Sequence, residues 1–335
     1  MEEQVVTLPM TKRLVAVYPE LKLSSQAKAF LSEFEQGQTD SVSCWRSDAV
    51  ERQDGSKIEG VGLFATRDID PNTLIAIKPG HVVGSRTIKE NAQIINGSHQ
   101  QIGRNQFLVG LTPEEVNKNL VGYNHSCDPN AKVVVVKGLP LAFLVAKRSI
   151  RKAEEITADY SVGASSNTHR IFLCNCGSEK CRKMIQPGYD WLDRDFQKSH
   201  LDQFPYFIRE EIEEMNDMAE PELNDKKRLL YTLQSADVIT LLADELARRK
   251  EEMDRIVQSY PGNKQLSRMA LRHLSKRDTK KYRELLLKGA QYFAQLCPLA
   301  NIEDMGIDRT DPRTVRQHLP ELIDFARKID FTFNQ

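Results

Sequence analysis

The chain has 335 residues, enough for two domains, because a single hydrophobic core stops growing near about 250–300 residues. Lysine plus arginine and aspartate plus glutamate balance at 47 each, which argues against a globally basic nucleic-acid binder and against an acidic solvating chain. No run approaches the roughly 18 apolar residues of a membrane span, and the acidic opening Met1-Glu2-Glu3-Gln4 is not a secretory signal, so an intracellular protein without membrane contact is expected.

Residues 1–21 show no sustained period and are expected to be a lead-in that includes at most a strand. Ala27, Phe30, Leu31 and Phe34 recur at helical spacing, with Gly37 able to close a helix over 24–36. Residues 38–57 are polar and predict a loop. From Gly60 the pattern changes to short strands: 61–65, then 74–77 between Pro71-Asn72 and Pro79-Gly80, then 81–83. Residues 85–104 are expected to be an irregular insert, followed by a strand at 107–111. Thr112-Pro113-Glu114-Glu115 is a capping box with proline at the first helical position. Two apolar runs, 133–136 and 141–146, flank Lys137-Gly138-Leu139-Pro140 as a hairpin, and Glu155-Ile156-Thr157 is a further strand. Strands are expected to stop after Cys181. Beyond it, Val238, Leu241, Leu242 and Leu246 carry a helical period, and further helices are predicted near 263–276, 279–296 and 313–329.

Cysteines concentrate the chemistry. Four of the six lie between 127 and 181, three of them as Cys174-Asn175-Cys176 and Cys181 around Gly177-Ser178. Ordinary buried thiols do not cluster this way. Zinc needs four soft, deprotonated ligands, and Cys174, Cys176 and Cys181 supply three, with Cys127 the nearest candidate for the fourth. Asn124-His125 lies just before Cys127; by itself such a pair is a turn or a satisfied polar contact, but a metal at Cys127 would aim both side chains. Tyr160 follows a strand, where a tyrosine commonly packs, yet its hydroxyl could orient an amine or assist its deprotonation. Gly60-Val61-Gly62 allows a close backbone approach to a ligand, or marks a bulge.

Together these segments resemble the SET-domain protein lysine methyltransferases. Glu59-Gly60-Val61-Gly62-Leu63-Phe64 is similar to the family's glycine motif. Asn124-His125-Ser126-Cys127-Asp128-Pro129-Asn130 is similar to its central signature, Glu155 to Tyr160 to its closing motif, and Cys174 to Cys181 to its post-SET zinc segment. The resemblance covers about residues 45–185. It implies a mixed β and α fold of small β-sheets, with a C-terminal motif threaded through a loop. The division it implies is a lead-in at 1–44, the SET domain at 45–163, a post-SET segment at 164–188 and an all-helical region at 189–335. It implies S-adenosylmethionine as methyl donor, held by Glu59, Gly60, Val61, Gly62, Asn124 and His125. It implies Tyr160 as the catalytic tyrosine, and Zn2+ held by Cys127, Cys174, Cys176 and Cys181. A protein lysine, histone or non-histone, would be the acceptor.

Some positions depart from the family. Ala158 stands where the family usually has an aromatic residue, a position that governs how many methyl groups fit, so the resemblance implies room for di- or trimethylation unless another aromatic fills the gap. Gly110 stands where an acidic residue is common, and Gly122-Tyr123 replaces an apolar pair; both bear on substrate choice. Cys44 is alone, so a cysteine cluster ahead of the domain is not expected, which weakens the link to histone tails. Acids dominate 210–225 and bases 264–283; solvated helix faces explain both, while the basic run could instead meet nucleic acid or a nucleosome. Two further readings stand beside the enzyme: a catalytically silent SET-fold protein that binds zinc and partners, and a small-molecule methyltransferase.

Overall fold

The computed structural model describes residues 8–166, 168, 171–259, 261, 263, 265, 266, 268 and 269. In chain order the elements are α1 (Met10–Val17), α2 (Ser25–Glu35), β1 (Trp45–Arg46), β2 (Val50–Asp54), β3 (Val61–Ala65), β4 (Leu74–Lys78), β5 (His81–Val83), α3 (Ser85–Glu90), α4 (Ala92–Ile95), β6 (Gln100–Gly103), β7 (Gln106–Val109), α5 (Pro113–Asn119), β8 (Asn124–His125), β9 (Ala131–Val135), β10 (Ala142–Ala146), β11 (Glu155–Ala158), β12 (Phe172–Leu173) and β13 (Met184–Ile185). The helices α6 (Arg194–His200), α7 (Tyr206–Asp217) and α8 (Glu220–Gln258) follow. Short 3-10 turns occupy Tyr160–Gly163 and Asp190–Leu192.

These strands form small sheets ordered β1-β4-β10-β9, β2-β3-β11-β8, β5-β7-β6 and β12-β13. β4 and β10 are buried along their whole length, because both faces of their sheet are covered. On one face α1 and α2 lay Leu14, Ala27 and Leu31 onto Leu74, Ile77 and Phe143. On the other, Ile75 and Leu144 meet Leu63, Ile156 and Ala158 of the second sheet. Burial of each such side chain contributes about 1.5–3 kcal/mol, so the two sheets and the helical layer fold as one body.

Several expectations change. The lead-in holds the helix α1 rather than a strand, fixed by the fully buried Leu14. The segment read as a loop at 38–57 contains β1 and β2; β2 is a mostly exposed edge strand whose partner β3 supplies the ladder. The insert at 85–104 is ordered as α3, α4 and β6, pinned by Ile88 and Ile95 against Phe107. Strands do not stop at Cys181, since β13 pairs with β12. The capping box at α5 forms as expected: Thr112 Oγ1 accepts from Glu115 N at 3.2 Å, while Glu115 Oε2 accepts from Leu111 N at 2.8 Å.

The described chain divides into two compact units, Met1–Asp217 and Met218–Gln335. In the first, the segment after β13 packs back on the domain: Trp191, Phe204, Phe207 and Ile208 bury Val162 of the turn that follows β11. In the second, α8 is a single continuous helix of 39 residues. The helices predicted beyond 263 and the basic run 264–283 lie, apart from a few positions up to 269, outside the described residues. No described helix is long and apolar enough to cross a membrane.

Gly110 has a structural task. A Cβ there would sit 2.5 Å from Glu115 C and Val116 N, backbone atoms of α5 that cannot swing aside. Gly110→Ala is therefore expected to destabilise the protein by about 1–3 kcal/mol, seen as a lower denaturation midpoint. An unchanged midpoint would mean that α5 can shift away.

Candidate active site

β11 runs between β3, to which it is antiparallel, and β8, to which it is parallel. The parallel register sets Thr157 beside Asn124 and Ala158 beside His125, and Ser126 N donates to Ala158 O at 3.1 Å. Segments more than thirty residues apart thus deliver Asn124, His125, Asp159 and Tyr160 to one point. Asp159 caps the turn that carries Tyr160, its carboxylate accepting from Ser161 N at 3.0 Å.

Asn124 Nδ2 faces four acceptors: Ser56 Oγ (3.1 Å), Glu59 O (3.0 Å), Val61 O (3.0 Å) and Glu155 Oε1 (2.8 Å). Its amide therefore gathers the 56–61 loop, with Glu59, Gly60 and Val61, against the site. Gly62 admits Glu155: a Cβ at that position would stand 2.7 Å from Glu155 Oε1.

His125 is buried, and its hydrogen bonds fix its tautomer. Nδ1 accepts from Tyr160 N at 3.2 Å, so Nε2 carries the proton and donates to Cys127 Sγ at 3.4 Å. Burial holds its pKa down to about 4 against the opposing pull of Asp159, so the ring is neutral at physiological pH. One imidazole therefore joins the tyrosine turn to the cysteine cluster.

The Tyr160 ring meets His125, Tyr123 and Phe172 edge to face at centroid distances of 5.4, 5.8 and 6.0 Å. Its hydroxyl donates to Tyr123 O at 2.9 Å. Burial, seconded by Tyr123, Glu59 and Glu155, pushes its pKa above the ordinary tyrosine value, so the group works as a neutral phenol. Tyr160 borders two clefts. One is walled by Glu59, Asn124, His125, Phe172, Cys174 and Asn175. The other is walled by Lys78, Ser98, Gln100, Gly122, Tyr123 and Asp159. A group entering from each side would meet at the phenol.

The Sγ atoms of Cys127, Cys174, Cys176 and Cys181 lie within 4.8 Å of one another, and those of Cys127 and Cys174 are 3.9 Å apart. Four thiolates at about 2.3 Å from a zinc ion would stand about 3.8 Å apart, so the donor set and its spacing suit that metal. Arg182 N donates to Cys127 Sγ at 3.3 Å, a further contact of the kind that steadies metal-binding sulfurs.

Ala158 is buried among Leu63, Ala76 and Ile156, with the Tyr123 ring packed on that cluster, and it lines neither cleft. Three residues of the site escaped the sequence reading. Arg182 forks onto Asp159, with Nη1 2.6 Å from Oδ2 and Nη2 2.8 Å from Oδ1; the available signal was a base directly after Cys181, the last cysteine of the cluster. Lys78 ends an otherwise apolar strand, and Phe172 sits just ahead of the cysteine cluster.

This topology and cluster of groups define a domain of small β-sheets built around one tyrosine. Residues 60–161 match the SET domain family, and the chain carries a SET domain homologous to histone-lysine N-methyltransferases. Over 138 residues it is 34% identical to Histone-lysine N-methyltransferase trr of Drosophila melanogaster, covering 39% of this chain and 6% of that protein. It is 29% identical to human Histone-lysine N-methyltransferase 2D over 39% of this chain and 2% of that protein. It is 28% identical to Probable histone-lysine N-methyltransferase set-23 of Caenorhabditis briggsae over 38% of this chain and 56% of that protein. The chain thus spans little more than half of the last relative and a small part of the others.

Proposed function

We propose that the protein transfers a methyl group from S-adenosylmethionine to the side-chain amine of lysine in a protein substrate, with histones the first class to test. The observation that carries this reading is the placement of Tyr160 at the border of two clefts within a SET domain. When bound, S-adenosylmethionine supplies an electrophilic methyl group on a sulfonium. Glu59, Gly60, Val61 and Gly62, with Asn124 and the backbone of His125, are the residues that would hold it, on the side of Phe172 and Cys174. The acceptor amine enters from the side of Tyr123. The neutral Tyr160 hydroxyl and the carbonyl of Tyr123 then position it, and most of the acceleration comes from holding two reactants in line. Buried aromatic walls exclude water and favour the neutral amine.

We assign Zn2+ to Cys127, Cys174, Cys176 and Cys181. When bound, the metal supplies a cross-link that ties the segment after residue 171 to β8. His125 carries that constraint to Tyr160 through its two ring nitrogens. The acceptor side is framed by Tyr123 and Tyr160 rather than by Ala158, and the mass of the methylated product reads how many methyl groups it admits.

The test is tritium transfer from S-adenosylmethionine to core histones and to a lysate. Wild type is expected to label protein, and Tyr160→Phe to lose about a hundredfold in rate. Donor binding without transfer to any protein would favour the silent SET-fold protein instead; retention of Asn124, His125 and Tyr160 together speaks for the enzyme.

A further inference from the structure

Lys78 closes β4, a strand otherwise made of Leu74, Ile75, Ala76 and Ile77, and its side chain is buried in the wall of the acceptor cleft. Among the described residues no carboxylate lies within ion-pair distance of it. Its Nζ donates to Asn119 O at 2.9 Å and to Asn119 Oδ1. The Asn119 amide is oriented by donating to Val42 O and Pro79 O, so its oxygen must face the lysine. A neutral amine has two N–H bonds and one lone pair. Asn119 takes both N–H bonds, which leaves the lone pair for the cleft.

We propose that Lys78 is the proton acceptor for the incoming lysine ammonium, its Nζ lone pair facing the cleft that Tyr160 borders. This inference rests on the methyltransferase reading. One N–H bond of the substrate ammonium breaks, a new N–H bond forms at Lys78 Nζ, and the electron pair left on the substrate nitrogen becomes the nucleophile. The positive charge moves from substrate to Lys78, so charge is conserved and no further reactant is needed. Lys78 returns the proton to water when product leaves.

The electrostatics of the cleft suit this task. Burial pulls the Lys78 pKa down to about 7, and Cys44 pulls the other way. The groups around it are Asn119; Cys44, whose thiol pKa burial raises; and, along the cleft, His99 ahead of β6, Tyr123, a buried phenol, Asp159 and Tyr160. The Asp159 carboxylate is engaged by the bidentate Arg182 and, among the described residues, forms no ion pair with Lys78. An acceptor amine in the same dry cleft meets the desolvation that lowers Lys78, which brings the two amines into proton-sharing range.

The experiment measures kcat/KM between pH 6 and 10 for wild type, Lys78→Met and His99→Gln, with core histones or, failing those, the labelled lysate protein as acceptor. Zinc content and donor affinity are measured for each variant. The Lys78 side chain is also titrated by NMR in the donor-free protein. Wild type is expected to rise to a plateau above about pH 7. Lys78→Met, with zinc and donor bound as in wild type, is expected to be about a hundredfold slower at pH 7 and to keep rising toward pH ~10, where free lysine loses its proton. NMR is expected to show Lys78 titrating near neutrality. The proposal is overturned by superimposable wild-type and Lys78→Met profiles, by a limb that follows His99→Gln, or by methyl groups found on Lys78 itself. Transfer with an unchanged profile removes the role of Lys78 alone. Failure of wild type to label any protein removes the methyltransferase reading and the role of Lys78 with it.

Discussion

Chelation of the four-cysteine cluster is expected to abolish methyl transfer, by more than about a hundredfold, and to release one zinc ion per chain, as four thiolates around one ion require. The loss has a structural route. Cys127 belongs to the signature loop after β8, whereas Cys174, Cys176 and Cys181 belong to the segment bracketed by β12 and β13. Each of those strands has two residues, too few to hold the segment by their own ladder. Without the metal, Phe172 is expected to leave the Tyr160 ring, and the wall of the proposed donor cleft that includes Leu173, Cys174 and Asn175 to open. Hydrogen exchange should show amide protection lost at 172–185 and kept at β4 and β10, whose burial owes nothing to the cysteines. Cys181→Ser should reproduce both effects. Acid should too, because the ligands must be deprotonated and binding releases protons, so zinc affinity falls as pH falls. Full activity and unchanged exchange after complete metal removal would show that the cluster is not what closes the site.

What was legible in the chain was local. The cap of α5, the strands β3, β4 and β10, and the concentration of polar groups from Asn124 to Cys127 are all written in short spans of sequence. What was not legible depends on partners far along the chain. α1 carries Val15 and Val17, which disfavour helix; it forms because Leu14 finds a buried seat on the sheet. β2 reads as a polar loop because only Val50 is buried and the ladder from β3 does the rest. Lys78 looks like an ordinary strand end until Asn119, 41 residues on, meets it. Tyr160 reaches the carbonyl of Tyr123, 37 residues back, only through the parallel pairing of β8 with β11. Ala158 shows the same limit from the other side. The sequence sets it directly before Asp159-Tyr160, and only the other strands show that Leu63 and Ala76 pack around it.

Arg182→Met is expected to cost about 3–5 kcal/mol of stability, the usual penalty for leaving one member of a buried ion pair alone. Arg182 follows Cys181, the last cysteine of the cluster, and its guanidinium forks onto Asp159, whose side chain is only 1% exposed. It also donates to Ser161 Oγ at 3.1 Å and lies 4.9 Å from the Phe196 ring. Without it, Asp159 keeps, among the described residues, Ser161 N and His125, whose Nδ1 stands 3.6 Å away. The carboxylate then draws a proton onto that imidazole. Two opposing influences set this balance in wild type: Asp159 raises the His125 pKa and Arg182 lowers it, with burial dominant at about 4. A histidine whose folded pKa is depressed contributes stability above its unfolded pKa, near 6.5, and loses it as pH falls toward 4. In Arg182→Met the His125 pKa is expected to rise, which NMR titration of the ring reads directly. Nδ1 then donates to Asp159 instead of accepting from Tyr160 N, so the tyrosine turn loses its anchor and transfer weakens with it. Replacing both partners, Arg182→Met with Asp159→Asn, removes the charge stranded on Asp159 but not that of Asp190, 3.9 Å from the guanidinium, and should recover part of the lost stability without restoring activity. If Arg182→Met costs no more than the ~0.5 kcal/mol of an ordinary surface change, the pair does not lock the cysteine segment to Tyr160, and that task passes to His125 and the metal alone.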